Sequence, residues 1–148
     1  IAMWVTIYTD ASYRPMGDQR GGWAVWIRSE LGRIVKAGPC PDYICGSLEA
    51  EVCAIYCGLH LAVKAWPEAT AFLVRTDCQG ACFDPRSRRY AEDDNAALAR
   101  LCRLMSETLG RRILRHKWVK GHQKNNSMQA YLNRQCDLLA GRVTGKHT

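Results

Sequence analysis

The chain has 148 residues and a formal net charge of +7. A chain of this length buries roughly two thirds of its unfolded surface, so we expect one domain spanning residues 1–148. It contains no run of about 18 apolar residues and no amino-terminal segment that passes from basic to apolar. These features argue against a membrane protein and favour an intracellular, cytoplasmic one.

The positive charge is concentrated in one segment. Residues 86–124 contain eleven Lys or Arg residues and four acidic residues, which accounts for the whole excess of +7. A solvated helix face can be basic for solubility alone. Confinement of the charge to this segment nevertheless favours a polyanionic partner.

The eight cysteines do not show the spacing of a zinc site. Cys53 and Cys57, like Cys78 and Cys82, lie four residues apart in segments predicted to be helical, and no two-residue spacing occurs. We expect buried, reduced thiols. A structural metal, or a redox pair such as Cys40 and Cys45, is the alternative.

The amino-terminal half predicts three strands and a helix. Residues 4–10 form a strand with two different faces that ends in Asp10, after which the chain turns. An aspartate at this position is often only a turn former. Residues 21–28 and 33–37, joined by a short turn, predict an antiparallel pair. Ser47 is a good N-cap for a helix over residues 48–65.

Glu51 stands out in this helix. The helix has an apolar stripe formed by Leu48, Val52, Ile55, Leu59 and Ala62. Glu51 falls at the edge of the stripe, whereas Glu49 points away from it. The helix dipole explains an acid in the first turn, but an acid at the edge of a core needs a positively charged partner or a metal.

A further strand, residues 71–77, ends in Asp77. A strand, a helical crossover and a further strand form the pattern of parallel pairing, and we consider the case in which residues 4–10 and 71–77 lie side by side in parallel. The carboxyl ends of residues 4–10 and 71–77 then coincide, so Asp10 meets Asp77. This is the sheet edge at which open α/β folds bind ligands.

The carboxyl-terminal half predicts three helices and a fifth strand. In chain order these are a short helix at 78–83, a helix capped by Asp93 or Asp94 and closed by Gly110, a strand at 113–119, a polar loop at 120–126, and a helix at 131–143. The last helix has Leu132, Cys136, Leu139 and Val143 facing inward, with Asp137 at the border of this stripe.

The four carboxylates introduced above belong to Asp10, Glu51, Asp77 and Asp137. At one sheet edge they would repel each other strongly, so their convergence implies a metal. Carboxylate oxygens suit Mg²⁺ or Mn²⁺. Two such ions about 4 Å apart can activate water and stabilise the leaving oxygen of a phosphodiester. A nucleic-acid substrate would also match the basic segment.

Six segments, in this order, resemble type 1 ribonuclease H, and the resemblance spans almost the whole chain. They are Thr9-Asp10-Ala11-Ser12, Gly22-Trp23-Ala24, Ala50-Glu51-Val52-Cys53-Ala54-Ile55 with Gly58-Leu59, Thr76-Asp77-Cys78-Gln79, Trp118-Val119-Lys120-Gly121-His122, and Asn133-Arg134-Gln135-Cys136-Asp137-Leu138-Leu139-Ala140. The resemblance implies an α/β fold: a five-stranded mixed sheet of order 3-2-1-4-5, with strand 2 antiparallel and helices on both faces.

The resemblance also implies roles for individual residues. The metal ligands would be Asp10, Glu51, Asp77 and Asp137, holding two Mg²⁺ ions, or Mn²⁺, with Asp10 bridging both. His122 would assist proton transfer or product release, although a loop histidine can also be a solvated surface residue. Substrate contacts would come from Ser12, Gln79 and Asn133.

The chain departs from the family pattern in two places. Ser47 and Leu48 stand where relatives often carry a polar pair that contacts the minor groove. The segment between Asp84 and Asp94 has no room for the basic helix that many relatives insert. Part of the phosphate grip of that helix could come from Arg86, Arg88 and Arg89, or from a partner.

The expected function is an endonuclease that hydrolyses the RNA strand of an RNA–DNA hybrid with two divalent ions, reading the hybrid by shape and by its 2′-OH groups. One alternative is a related nuclease that acts on branched DNA or duplex RNA. Another is a non-catalytic nucleic-acid-binding module of the same fold. We expect a monomer; association with a polymerase or another nucleic-acid-binding protein remains open.

Overall fold

The computed structural model describes residues 1–87, 94–119 and 127–143. The elements in chain order are β1 (Trp4–Tyr13), β2 (Gly21–Ser29), β3 (Gly32–Pro39), α1 (Ser47–Ala65), β4 (Ala71–Thr76), a single 3₁₀ turn (Gln79–Ala81), α2 (Ala96–Leu109), β5 (Ile113–Trp118) and α3 (Met128–Val143). All five predicted strands are present, and so are the three longer predicted helices, which correspond to α1, α2 and α3.

The five strands form one mixed sheet in the order β3-β2-β1-β4-β5. β1 pairs in parallel with β4, and β4 with β5, whereas β1–β2 and β2–β3 are antiparallel. The predicted sheet order and strand directions are confirmed. β1 therefore lies at the centre, between an antiparallel and a parallel neighbour.

β1 does not end at Asp10, and the predicted turn directly after this residue is wrong. The strand continues to Tyr13, because Ala11, Ser12 and Tyr13 stay paired with the start of β2. Gly21 and Gly22 form that start, and an added Cβ at Gly21 would lie 2.9 Å from Cβ of Cys40. Small residues in β2 thus allow the pairing to extend beyond the acid.

α1 covers one face of the sheet and confirms its predicted stripe. Val52, Ile55, Leu59 and Ala62 are buried, and α1 packs on β1 and β2 with α2 beside it. The contact between helix and sheet is closest at Gly58, where a Cβ would lie 2.6 Å from Cγ2 of Ile7. Glycine here allows α1 to approach the central strand.

Helix starts were less predictable than helix faces. The N-cap of α1 is Gly46, and Ser47 is the first helical residue. α2 is capped by Asn95, whose side chain accepts a 2.9 Å hydrogen bond from the Leu98 N–H, and not by Asp93 or Asp94. The closure of α2 by Gly110, at φ +56°, agrees with the prediction.

α3 packs on the opposite face of the sheet, against β1, β2 and β3. It begins at Met128, three residues before the predicted start. Leu132 and Cys136 are buried together with Ala24, as predicted, whereas Val143 is 41% exposed and does not face inward. The last turn of α3 therefore extends beyond the apolar contact.

None of the eight cysteines, all of them in the described part of the chain, forms a disulfide, and four are buried: Cys40, Cys53, Cys102 and Cys136. Cys45 is exposed. Cys78 and Cys82 flank the short 3₁₀ turn, which replaces the helix predicted over 78–83. Among the helices that the structure describes, none is long and apolar enough to cross a membrane.

Candidate active site

Three carboxylates from different parts of the chain converge beside β1, at the edge of the sheet where β4 ends. Asp10 lies in β1, Asp77 directly follows β4, and Glu51 lies in the second turn of α1. One oxygen from each lies within 4.8 Å of the others. In the described part of the chain this is the one group of acids, histidines or cysteines close enough to hold a metal ion.

The strand register accounts for the meeting of the two aspartates. In the parallel β1–β4 pair, Tyr8 lies beside Arg75. Asp10 and Asp77 each follow two residues later, so they reach the same edge on the same face. Glu51 approaches from α1, which Gly58 holds close to β1.

Asp10 is the most buried of these acids, with 2% of its surface exposed. Burial, together with the charges of Asp77 and Asp137, raises its pKa to about 7, while a hydrogen bond from the backbone N–H of Ala11 opposes them. A carboxylate that is difficult to ionise in this way is stabilised by any cation that binds beside it.

The pKa of Glu51 is raised even more than that of Asp10. Burial, followed by the charges of Asp10 and Asp77, raises its pKa to about 9, and the Ala11 N–H again favours the ionised form. Its Oε2 atom is buried and has no hydrogen-bond partner among the described residues. Since buried polar atoms are normally paired, this oxygen is available as a ligand for a cation.

Asp137 lies further out. It is an exposed residue of α3 and does not belong to the group of three. Its charge nevertheless contributes to the raised pKa of Asp10, which places it at the rim of the same site. The helix border predicted for Asp137 is consistent with this position.

α3 is fastened to the strand that carries Asp10 through three side chains. The amide of Asn133, oriented so that its nitrogen faces the acid, donates to the Asp10 carboxylate. Cys136 donates its thiol to the backbone oxygen of Asp10 at 3.4 Å. Gln129 donates to the backbone oxygen of Thr9 at 3.2 Å.

Of these three, only Asn133 was predicted from sequence as a site residue. Cys136 was expected to be buried, and its position one residue before Asp137 was the signal that it lies beside the acids. Gln129 had no signal, because it precedes the predicted start of the helix. Trp118 was also missed: its Nε1 donates to the backbone oxygen of Asp77 at 3.1 Å, and half of its surface is exposed beside the cluster.

Of the other residues predicted to contact the substrate, some lie beside the acids and others lie outside the described residues. Ser12 is half-buried in β1 opposite Gly22, and Gln79 is exposed two residues after Asp77. Both positions border the acidic cluster. Arg88, Arg89 and His122 lie outside the described residues, so their predicted roles stay predictions.

Arg86 is bound to the protein itself. Its guanidinium makes two hydrogen bonds to Asp84, of 2.9 and 2.8 Å, and donates to the backbone oxygens of Gly110 and Arg112. The pKa of Asp84 is lowered by these bonds from Arg86. A phosphate contact by Arg86 would compete with this network, and it also stays a prediction.

The residues present fit a divalent cation. The three clustered groups offer hard oxygen ligands of the kind Mg²⁺ and Mn²⁺ prefer. The Glu51 oxygen, which has no partner among the described residues, and the raised pKa values of Asp10 and Glu51 mean that a bound cation would stabilise the ionised carboxylates. Asp10, Glu51 and Asp77 would hold the ion, with Asp137 at the rim.

Solved structures of similar fold cover nearly the whole chain. The N-terminal RNase H domain of a Mycobacterium tuberculosis protein is 18% identical with a TM-score of 0.66, and the match covers 97% of this chain and 95% of that one. RNase H1 from Halobacterium salinarum is 17% identical with a TM-score of 0.65, covering 95% and 96%. LC11-RNase H1 from a compost metagenome, solved with an RNA/DNA hybrid, is 15% identical with a TM-score of 0.62, covering 96% and 97%.

At these identities the structural matches show the fold alone. No curated protein matches the sequence. The family model for RNase H, however, matches residues 3–144, which include all four predicted metal ligands. The type 1 assignment drawn from the six motifs fits this match, and the chain belongs to the RNase H family.

Proposed function

We propose that this protein is an endonuclease that hydrolyses the RNA strand of RNA–DNA hybrids with two divalent cations, Mg²⁺ or Mn²⁺. The observation that carries the proposal is the cluster of Asp10, Glu51 and Asp77, with oxygens within 4.8 Å of one another. Membership of the RNase H family supports nuclease chemistry on such hybrids. Asp137 completes the ligand set from the rim.

The ions would activate water and neutralise charge on the phosphate and the leaving oxygen. The chain's own residues prepare the site for this. Asp10 is held by the Ala11 N–H and the Asn133 amide, and Glu51 is placed against it by α1. His122, which the family resemblance places in the loop beyond β5, would carry a proton to or from the reacting groups.

The proposed substrate rests on membership of the RNase H family and on the net charge of the chain. The similar LC11 enzyme was solved bound to an RNA/DNA hybrid, and we extend this ligand to the present chain. The net charge of +7 suits a polyanion. Ser12, Gln79 and Asn133 border the acids and would contact the hybrid there. We propose a monomer, with association with a polymerase left open.

A non-catalytic module of the same fold would gain nothing from these acids. Three close carboxylates, one of them 98% buried, destabilise a folded chain unless a cation binds them. The arrangement therefore favours an enzyme that uses its metal over a binding module that has lost it.

The test is hydrolysis of strand-labelled substrates. The protein is incubated with Mg²⁺ or Mn²⁺ and, separately, an RNA–DNA hybrid, duplex DNA, duplex RNA and a four-way junction. We expect cuts only in the RNA strand of the hybrid. Asp10→Asn should abolish turnover, whereas Asp42→Asn, at an exposed acid that does not belong to the cluster, should not.

Intact hybrid RNA in the presence of either metal would overturn the proposal. Preferential cutting of the junction or of duplex RNA would indicate the related nuclease activities instead. Thermal denaturation of both variants checks that they are folded. Substantial turnover by a folded Asp10→Asn protein would refute the central role given to Asp10.

A further inference from the structure

The two faces of the sheet are covered unequally. α3 crosses its face near the carboxyl end of β1, where Tyr8 and Trp26 pack with Met128 and Tyr131. Around this contact, toward the start of β1 and on the flanking strands, Trp4 and most of the basic side chains of the same face are exposed, and Arg75 is half-buried. We call this region the open face; it comprises Trp4, Arg28, Arg33, Arg75, Arg115 and Lys117.

The strand register places these residues side by side. Arg28 lies opposite Arg33 in the β2–β3 pair, and Leu73 lies beside Arg115 in the β4–β5 pair. Thr6 joins the two pairs, because it is the partner of both Arg28 and Leu73. Residues paired in register project from the same face, so one row carries three arginines.

The neighbouring row is also basic. Arg75 lies beside Lys117 and next to Tyr8, to whose hydroxyl its Nη1 donates at 2.8 Å, with the guanidinium 5.0 Å from the ring centre. The Nε of Arg75 is buried and has no partner within the described part of the chain. A cation is thus held in place at the sheet surface.

No acid in the strands compensates these charges. The five strands contain a single acidic residue, Asp10, which lies at the far edge; Glu30 lies in the turn beyond the paired rows. Like charges in directly opposite positions destabilise a sheet. The pairing of Arg28 with Arg33 therefore favours a ligand that brings negative charge to the face.

Trp4 shows which anion fits. It lies on the same face as Thr6, two residues earlier, and 45% of its surface is exposed. A flat surface of strands that combines an exposed aromatic ring with arginines is suited to single-stranded nucleic acid, whose bases stack on rings while phosphates meet cations. A duplex, whose bases already stack on one another, would leave the indole unused.

We propose that the open face binds a single-stranded segment of DNA or RNA. Phosphates contact the basic rows, and one base stacks on Trp4. The interaction requires neither a metal nor hydrolysis, so it does not depend on the proposed nuclease activity. It lies on the opposite face of the sheet from α1 and is separate from the acidic cluster.

The experiment measures binding of fluorescein-labelled oligo(dT) and oligo(U) in EDTA by anisotropy at several salt concentrations. Arg28→Glu with Arg33→Glu should weaken binding at least about tenfold and flatten the salt dependence, by about 0.7 in the log–log slope per lost phosphate contact. The matched control, Lys36→Glu with Lys64→Glu, changes the net charge equally away from this face. It should change binding far less.

The stacking part is tested at Trp4. Trp4→Ala should weaken single-strand binding by roughly tenfold, and Trp4→Phe should retain most of it, with thermal denaturation showing that both are folded. Polyglutamate serves as the acidic-polypeptide competitor and duplex DNA as the paired competitor. Both should compete more weakly than unlabelled oligo(dT).

Three outcomes would overturn the inference. Equal losses in the two double variants would show that only overall charge matters. Binding unaffected by Trp4→Ala, or polyglutamate competing as well as oligo(dT), would indicate a site for acidic protein. Single-strand binding without hybrid cleavage would support this inference and contradict the proposed function. Hybrid cleavage without single-strand binding would contradict this inference and support the proposed function.

Discussion

Sγ of Cys136 lies 3.4 Å from the backbone oxygen of Asp10, and the thiol is the donor. A buried helix side chain thus holds the strand residue whose carboxylate is central to the site. Burial raises the pKa of Cys136, and the charges of Asp10, Glu51 and Asp137 raise it further. The thiol therefore stays protonated and keeps its role as donor.

Replacement of Cys136 should consequently affect activity through the position of Asp10. We expect Cys136→Ala to lower kcat a few-fold and to destabilise the fold by about 1 kcal/mol, as the hydrogen bond and some packing are lost. Cys136→Ser keeps a donor and should retain more activity. Hybrid hydrolysis and thermal unfolding measure both effects, with Cys102→Ala, in α2, as the control for a buried thiol outside the site. Equal activity of the alanine and serine variants would contradict the positioning role.

The metal-free protein should lose stability as pH rises. The pKa is about 7 for Asp10 and about 9 for Glu51 in the folded state, against 3.8 and 4.5 ordinarily. The folded state therefore holds protons that the unfolded state has released, and this contribution to stability is complete below the ordinary pKa values. It is lost as pH rises through the folded values.

Melting temperatures between about pH 5 and 9 measure this effect. In EDTA they should fall, and saturating Mg²⁺ should flatten the decline because a bound cation stabilises the ionised carboxylates. The Asp10→Asn, Glu51→Gln double variant should show a flat profile without metal. A metal-free melting temperature that increases across this range would contradict the assigned pKa directions.

Gly58→Ala should destabilise the protein although alanine favours helices. The new Cβ would lie 2.6 Å from Cγ2 of Ile7 and 3.4 Å from Cγ1 of Val25. Overpacking costs about 1–3 kcal/mol, which exceeds the gain of about 1 kcal/mol in helix propensity. Because α1 must then move from β1, hybrid hydrolysis should decrease as well.

Chemical denaturation measures the stability change, with Gly80→Ala as the control, since its nearest neighbour is Cδ1 of Leu48 at an ordinary 3.5 Å. A more stable Gly58→Ala protein would show that the β1–α1 contact is not limiting.

Arg86→Ala should reduce stability more than substrate binding. Arg86 joins Asp84 to the backbone oxygens of Gly110 and Arg112, and its partly exposed ion pair with Asp84 contributes little by itself. Loss of the bonds to both carbonyls should lower the free energy of unfolding by about 1–2 kcal/mol. The salt dependence of hybrid binding should stay nearly unchanged; a clearly flatter slope would instead support the phosphate contact predicted from sequence.

Much of the fold was predictable because periodicity and crossover length determine it. The stripe of α1 and the helical crossover between two strands were enough to place Asp10 beside Asp77 and to select Glu51 over Glu49. Glu49 in fact accepts a hydrogen bond from Asn95, away from the acids. The family match supports the same assignment.

The remaining features depend on tertiary contacts that no local pattern reports. The extension of β1 past Asp10 depends on small residues in β2. The cap of α2 is Asn95 and not one of the preceding acids. The internal role of Arg86 was hidden, because its carbonyl partners are 24 and 26 residues away in the chain. The sequence alone does not reveal whether a basic side chain is bound within the protein or is available to a ligand.

The central position of β1 also imposes a parity rule on the chain. Val5 and Ile7 face α1, whereas Tyr8 and Asp10 belong to the alternate set. Insertion or deletion of one residue within β1, between Trp4 and Asp10, would move an aromatic ring into the core and turn the acid away from its partners. A change of two residues there would preserve parity but displace the carboxylate by about 6.6 Å along the strand. The spacing between the paired start of β1 and Asp10 is therefore constrained as strictly as the acid itself.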